Sequence, residues 1–302
     1  MANYQNIMRL RPEVRQFIRN RRWVHRGDVV FYGTNLRCDA FSTDRGGFRH
    51  SSFKGETLSV ADCTKRDRYG LVLGPSSVYG FGLGGNENTM PSLLAERFGF
   101  PFANVGLPEG NSRNLFSILL SIIARSAEPP AAVVHISGGD FTSFCYTSIA
   151  DPIFGPPNLK QIQMVLKERG GRPAAKQQMP ALLNFTSLWI RSVAQVCRAN
   201  KIALVLADDT TFFEKTNPSE LEIQSELGKP FNPSQERQFA THRSFVEDYH
   251  SRRKAVAEAL GVPLAGPGKT NAIGFIDEFH YDADGTRALC QDFGNALEPL
   301  LR

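Results

Sequence analysis

The chain contains no run of about 18 consecutive apolar residues. Its longest apolar stretches, 115–124 and 131–136, are the size of core elements, so no transmembrane helix is expected. No apolar stretch with a small-residue cleavage site follows the basic start: Arg11-Pro12-Glu13-Val14-Arg15 leads into further arginine. A secretory signal is therefore not expected, and a cytoplasmic location is. Cysteine is sparse: Cys38, Cys63, Cys145, Cys197 and Cys290 are odd in number, widely scattered and free of C-x-x-C spacing. That pattern implies neither a disulfide framework nor a zinc site, and it reads as buried thiols in a reducing compartment. His25, His50, His135, His242 and His250 show no ligand spacing, so neither a metal nor another cofactor is expected. No aromatic-basic, helix-turn-helix or zinc-finger pattern is present, which argues against a nucleic-acid partner.

Acid is scarce in one place only. Residues 1–26 hold seven arginines against the single acid Glu13, whereas the whole chain carries a net charge of +5. Such an arm could hold a polyanion, an acidic polysaccharide, a membrane surface or a second copy of the chain as a homo-oligomer. The plainer reading is a solvated helix face that packs Leu10, Val14, Phe17 and Ile18 inward.

What is present is an ordinary globular composition: 302 residues, 41% apolar and 22% charged, enough for one sizeable core and a small accessory unit. Residues 1–66 read as a basic helix followed by a β-rich extension. From 67 to 302, short apolar runs alternate with longer helical stretches, the pattern of a parallel sheet covered on both faces. Strands are predicted at 70–73, 102–105, 131–136, 202–207 and, more weakly, 262–265. Helices are predicted at 89–98, 112–125, 183–200, 235–260 and 284–300. Two Pro/Gly-rich excursions interrupt this rhythm, 151–181 with a short helix at 159–168, and 208–233. The fold class expected is an α/β/α three-layer sandwich on a mostly parallel, flavodoxin-like five-stranded sheet.

Two segments carry chemistry. Leu71-Val72-Leu73-Gly74-Pro75-Ser76 runs a strand into a small-residue turn, which would hold Ser76 at the carboxyl edge of the sheet, where open α/β folds bind ligands. Near the end of the chain, Asp277 and His280 stand three residues apart. Within one turn the carboxylate could then orient the imidazole, whose second nitrogen is left to act as a base.

In these segments the chain resembles the SGNH/GDSL hydrolase family over about residues 70 to 300. Gly74-Pro75-Ser76-Ser77-Val78-Tyr79-Gly80 is similar to the family's G-D-S-x-x-x-G block, with Pro75 in place of the aspartate, and Asp277-Glu278-Phe279-His280 is similar to its D-x-x-H block. The resemblance implies Ser76 as nucleophile, His280 as general base and Asp277 as its orienter. It also implies Gly106, in Asn104-Val105-Gly106, as the second backbone donor to an oxyanion. The family's third block, G-x-N-D, is met by Gly138-Gly139-Asp140, which puts Gly139 or Asp140 where the family has a donating asparagine. An ionised Asp140 would accept rather than donate, and losing one such donor costs about 3 kcal/mol of transition-state stabilisation. Asn104, Asn111 and Asn114 are candidate replacements.

The function expected on this basis is serine-dependent hydrolysis of O-acyl, in particular acetyl, esters of carbohydrates or small molecules. Acyl transfer with the same triad and a non-catalytic binding role are the alternatives. Two other motifs fail. Gly80-Phe81-Gly82-Leu83-Gly84-Gly85 spells G-x-G-x-x-G too far past its strand for a dinucleotide site. Gly268-Lys269-Thr270 lacks the upstream glycine of a P-loop, because Pro263 stands there.

Overall fold

The computed structural model describes residues 4–26, 29–137, 140, 179–208, 210–227, 233–266 and 272–302. The basic arm forms two helices rather than one, α1 (Tyr4–Leu10) and α2 (Pro12–Asn20), broken at Arg11 with φ −126° and ψ 94°. Pro12 is the cause: its ring pushes the preceding residue into extended backbone, while proline itself suits a first helical turn. Ile7, Val14 and Phe17 are buried by these helices, and Leu10 and Ile18 only partly so. The extension continues as two antiparallel pairs, β1 (Val24–Arg26) with β2 (Val29–Phe31) and β3 (Ser51–Phe53) with β4 (Glu56–Leu58), then α3 (Val60–Cys63).

The rest builds one five-stranded parallel sheet. Its elements are β5 (Gly70–Gly74), α4 (Ser76–Tyr79), α5 (Met90–Phe98), β6 (Phe102–Gly106), α6 (Ser112–Ile123) and β7 (Ala132–Ile136). After the undescribed stretch come α7 (Met179–Ala199), β8 (Ala203–Ala207), α8 (Glu220–Leu227), α9 (Pro233–Leu260), β9 (Leu264–Ala265) and α10 (Ala283–Leu301). The strand order is β6-β5-β7-β8-β9, every pair parallel, which is the flavodoxin-like order expected.

Every residue of β5, β6 and β7 is buried, and alternate residues feed two separate cores. Val72, Val134 and Val205 pack with Leu94 of α5 and Phe293 of α10 on one face. Leu71, Leu73, Val133 and Leu204 pack with Leu119 of α6 and Val193 of α7 on the other. This period of two is why each strand reads as an unbroken apolar run. A third cluster joins the N-terminal extension to the sheet's carboxyl edge, where Phe17, Tyr32 and Phe41 meet Tyr79, Phe81 and Ile276.

Of the two predicted excursions, 208–233 contains a short 3-10 helix (Phe212–Glu214) and α8. Most of the other, including the helix predicted at 159–168, lies outside the described residues, as do Gly139, Cys145 and Gly268-Lys269-Thr270. Cys63, Cys197 and Cys290 are buried free thiols, and Cys38 is a partly exposed one. No helix among the described residues is long and apolar enough to cross a membrane.

Candidate active site

Ser76 is the first residue of α4, directly after β5 and Pro75. It therefore stands at the carboxyl edge of the sheet's second strand, beside the point where the strand order reverses. As a first-turn residue it has no intrahelical acceptor for its own N–H. The helix ends after one turn at Gly80, whose φ of +84° is the left-handed backbone that glycine adopts without strain. Arg49, fully buried in the extension, holds the turn that follows. Its guanidinium donates to the carbonyls of Gly80 at 2.6 Å, Leu83 at 3.0 Å and Gly85 at 2.6 Å, and to Asn86 Oδ1 at 3.2 Å. Burial pulls Arg49 down to about 10, and it remains a cation at neutral pH.

Asp277 and His280 lie in a tight bend rather than in a helical turn. The bend is closed by an antiparallel bridge between Phe275 and Tyr281, with Ile276 N–H donating to His280 O at 2.7 Å. Inside it, Asp277 Oδ1 accepts from the backbone N–H groups of Phe279 at 3.0 Å and His280 at 2.9 Å. Those bonds, not helical geometry, bring the three-residue spacing into register. His280 Nδ1 lies 2.7 Å and 2.8 Å from the two Asp277 oxygens, and His280 Nε2 lies 2.7 Å from Ser76 Oγ. Asp277 is 2% exposed and His280 9%, so the carboxylate faces the ring with little competing water.

The excursion at 208–227 supports this bend. Phe212 N–H donates to Glu278 O at 3.0 Å, and the Tyr281 hydroxyl to Thr210 O at 2.8 Å. Lys215 and Glu222 form a buried ion pair at 2.8 Å, and the two groups bond to Ile273 O and Phe275 N–H. From the other side Arg11 donates to Phe275 O at 2.7 Å. Buried charged residues in a polar loop and a basic arm carry no periodic signal, so sequence reasoning passed over Arg11, Arg49, Lys215 and Glu222.

Gly106, Asn104 and Asp140, expected on the oxyanion side, do other work, and Gly139 lies outside the described residues. The Gly106 N–H donates to Asn104 Oδ1 at 2.9 Å, and a Cβ on Gly106 would overlap the backbone of Tyr79. Glycine is required there because α4 passes so closely, and its N–H is turned to Asn104 rather than toward Ser76. Asn104, 1% exposed, donates its amide to Val78 O at 3.1 Å and so ties β6 to α4. Asp140 is fully buried and accepts from Ser112 N–H at 2.8 Å, from Ser112 Oγ and from Thr186 Oγ1 at 2.9 Å. Burial raises its pKa, against the opposing pull of those donors. It therefore anchors the start of α6 to α7. Asn111 and Asn114 cap α6 reciprocally, through the Asn114 N–H to Asn111 Oδ1 at 3.0 Å and the Asn111 N–H to Asn114 Oδ1 at 3.3 Å. In each case the physical reason is the same: a buried polar group takes the nearest partner.

Fold and site together define a three-layer α/β/α protein with a serine, a histidine and an aspartate hydrogen-bonded in series on the carboxyl edge of a parallel sheet. No protein-family model and no curated protein matches the chain. Solved structures similar to it include a carbohydrate acetylesterase family member from Sinorhizobium meliloti, at 13% identity over 78% of this chain and 99% of that one with a TM-score of 0.48. A GDSL-like lipase from Bacteroides thetaiotaomicron matches at 15% identity over 77% and 88%, with a TM-score of 0.47. A member of the lipolytic protein G-D-S-L family from Veillonella parvula matches at 10% identity over 74% and 95%, with a TM-score of 0.46. At such identities and scores no activity carries over, and the functional reading rests on this chain's own side chains.

Proposed function

We propose that the protein is a serine-dependent hydrolase of O-acyl esters that works through an acyl-enzyme on Ser76. The observation that carries this reading is the unbroken series Ser76 Oγ, His280 Nε2, His280 Nδ1 and Asp277, with each link at 2.7 Å. An ionised carboxylate only accepts, so the proton between Asp277 and His280 belongs to Nδ1, and the neutral ring offers the Nε2 lone pair to the serine hydroxyl. Ser76 Oγ attacks the ester carbonyl carbon as His280 takes its proton. The tetrahedral intermediate then collapses as His280 returns that proton to the departing alkoxide, which leaves as the alcohol. Water repeats the sequence on the acyl-enzyme, releasing the carboxylic acid and restoring the serine.

Ser76 N–H, free of any helical acceptor, is the donor we assign to the oxyanion. A carbohydrate O-acetyl ester is the substrate we favour. A non-catalytic binding role is the second reading, favoured by one observation: the side chain of Asn104, the N–H of Gly106 and the carboxylate of Asp140 are all engaged internally. Labelling with a fluorophosphonate, followed by peptide mapping, decides between them. Modification confined to Ser76, abolished in Ser76→Ala, together with turnover of 4-nitrophenyl acetate, supports the hydrolase. No modification and no turnover overturns it.

A further inference from the structure

Beside this site the N-terminal extension presents an aromatic and charged surface to which neither the triad nor the fold assigns a purpose. Trp23 is 41% exposed, the most exposed aromatic ring among the large apolar side chains of the described residues. The guanidinium of Arg21 lies 5.0 Å from the Trp23 ring centre, 5.6 Å from Tyr32 and 5.7 Å from Phe81. Phe81 in turn packs against the His280 imidazole, with centroids 4.2 Å apart. A path of contacts thus runs from an exposed indole to the ring that faces Ser76.

The third member is Glu109, in the loop that follows β6. Gly106, three residues earlier, is the register partner of Gly74, two residues before Ser76. The loop therefore emerges next to the serine. Glu109 has a φ of +58°, a left-handed backbone that costs a non-glycine residue about 1–2 kcal/mol. Its Oε2 is buried without a hydrogen-bond partner. Burial pushes its carboxyl up to about 7, against the pull of the Arg21 charge. The Tyr32 phenol senses the charges of Arg21, Glu109 and Asp277, which groups these three around one ring.

We infer that Trp23, Arg21 and Glu109 form a sugar subsite beside Ser76, which takes a neutral pyranose ring and presents its acylated hydroxyl to the serine. An exposed indole offers a flat, negatively polarised face suited to the C–H face of a sugar ring. The guanidinium and the carboxyl offer a donor and an acceptor to ring hydroxyls. The charge pattern selects against the other classes: a free anion would meet Glu109, and a free cation would meet Arg21. This inference rests on the esterase reading and narrows its substrate.

The test separates the two. Binding of O-acetylated xylo-, manno- and cello-oligosaccharides, with O-acetylated oligogalacturonides as the acidic counterpart, is measured by calorimetry on the full chain carrying Ser76→Ala. Fluorophosphonate labelling of the wild type is scored separately. The expected result is binding of at least one neutral series, weakened roughly tenfold or more by Trp23→Ala and by Glu109→Gln, with Trp23→Phe retaining most of it. Binding of none, binding of the acidic series alone, or binding unchanged by these variants overturns the subsite. Labelling of Ser76 without sugar binding leaves the hydrolase standing and the subsite fallen, and sugar binding without labelling does the reverse.

Discussion

Two histidines of this protein face aspartates on the carboxyl side of the same sheet, and they differ in what lies on their second nitrogen. His280 has Asp277 on one nitrogen and the Ser76 hydroxyl on the other. His250, on α9, has Asp208 at 3.3 Å from Nδ1 and Glu214 at 3.3 Å from Nε2, and Arg253 is bonded to the same Asp208. Burial alone would lower the pKa of His250, but the flanking carboxylates raise it from 6.5 to about 9. Burial likewise would raise Asp208, and the Arg253 and His250 charges pull it down instead. A histidine with acid on both sides is a standing cation with no lone pair to offer, whereas one with acid on one side and a hydroxyl on the other can accept a proton and return it. The second partner, rather than the presence of a carboxylate, separates the His250 ion pair from the histidine proposed as general base.

That contrast can be broken most forcefully by exchanging which histidine is lost. His280→Ala is expected to lower kcat toward an activated acetyl ester by about 10⁶-fold, the scale seen when a triad base is removed, while His250→Gln lowers it by less than about tenfold. Comparable losses in the two variants would show that the distinction is false. A smaller effect, about 10⁴-fold in kcat, is expected for Asp277→Asn, because an amide that donates toward Nδ1 favours the wrong ring tautomer while leaving the geometry intact. Steady-state rates on enzyme verified by circular dichroism measure both.

The His250 side of the comparison is read in stability. Its folded pKa lies above its unfolded one, so its contribution is complete below about pH 6.5 and is lost as pH rises through about 9. Denaturant unfolding should find the wild type more stable than His250→Gln by on the order of 3 kcal/mol near the low end of that window, with the gap closing toward pH 9. A gap independent of pH would mean that packing, not charge, is what His250 supplies. The mildest change is Glu214→Gln, which removes one of the two acids. The His250 pKa, followed by imidazole proton resonances, should then fall by about one unit toward its ordinary value.

Much of this was legible beforehand, and for identifiable reasons. The strands from β5 to β8, with α5, α6 and α7 between them, are readable because a covered parallel strand must be apolar on both faces, and Gly70–Gly74 and Ala132–Ile136 are. Ser76, Asp277 and His280 were singled out by residue type at element ends. The bend that joins the last two is not distinguishable from a helical turn by sequence, since a spacing of three fits both, and only the Phe275–Tyr281 bridge separates them. The break at Arg11, by contrast, is written in the sequence as Pro12. Helix α8 was missed because its eight residues have little apolar periodicity and follow Asn217-Pro218.

Gly106, Asn104 and Asp140 depart from expectation for a different reason. A motif names a residue without stating which neighbour its polar groups will find, and the amide of Asn104, the N–H of Gly106 and the carboxylate of Asp140 each found one inside the fold. By itself the sequence determined the layer order, the strand faces and the placement of a serine, an aspartate and a histidine at the sheet's carboxyl edge, because burial periodicity and chain reversal are local properties. Tertiary structure alone decided which histidine faces a hydroxyl and which faces a second acid, and which of the donors beside Ser76 stay free. Those outcomes depend on partners up to 204 residues apart in the chain, such as Ser76 and His280, and hydrogen bonding at that range follows from packing rather than spacing.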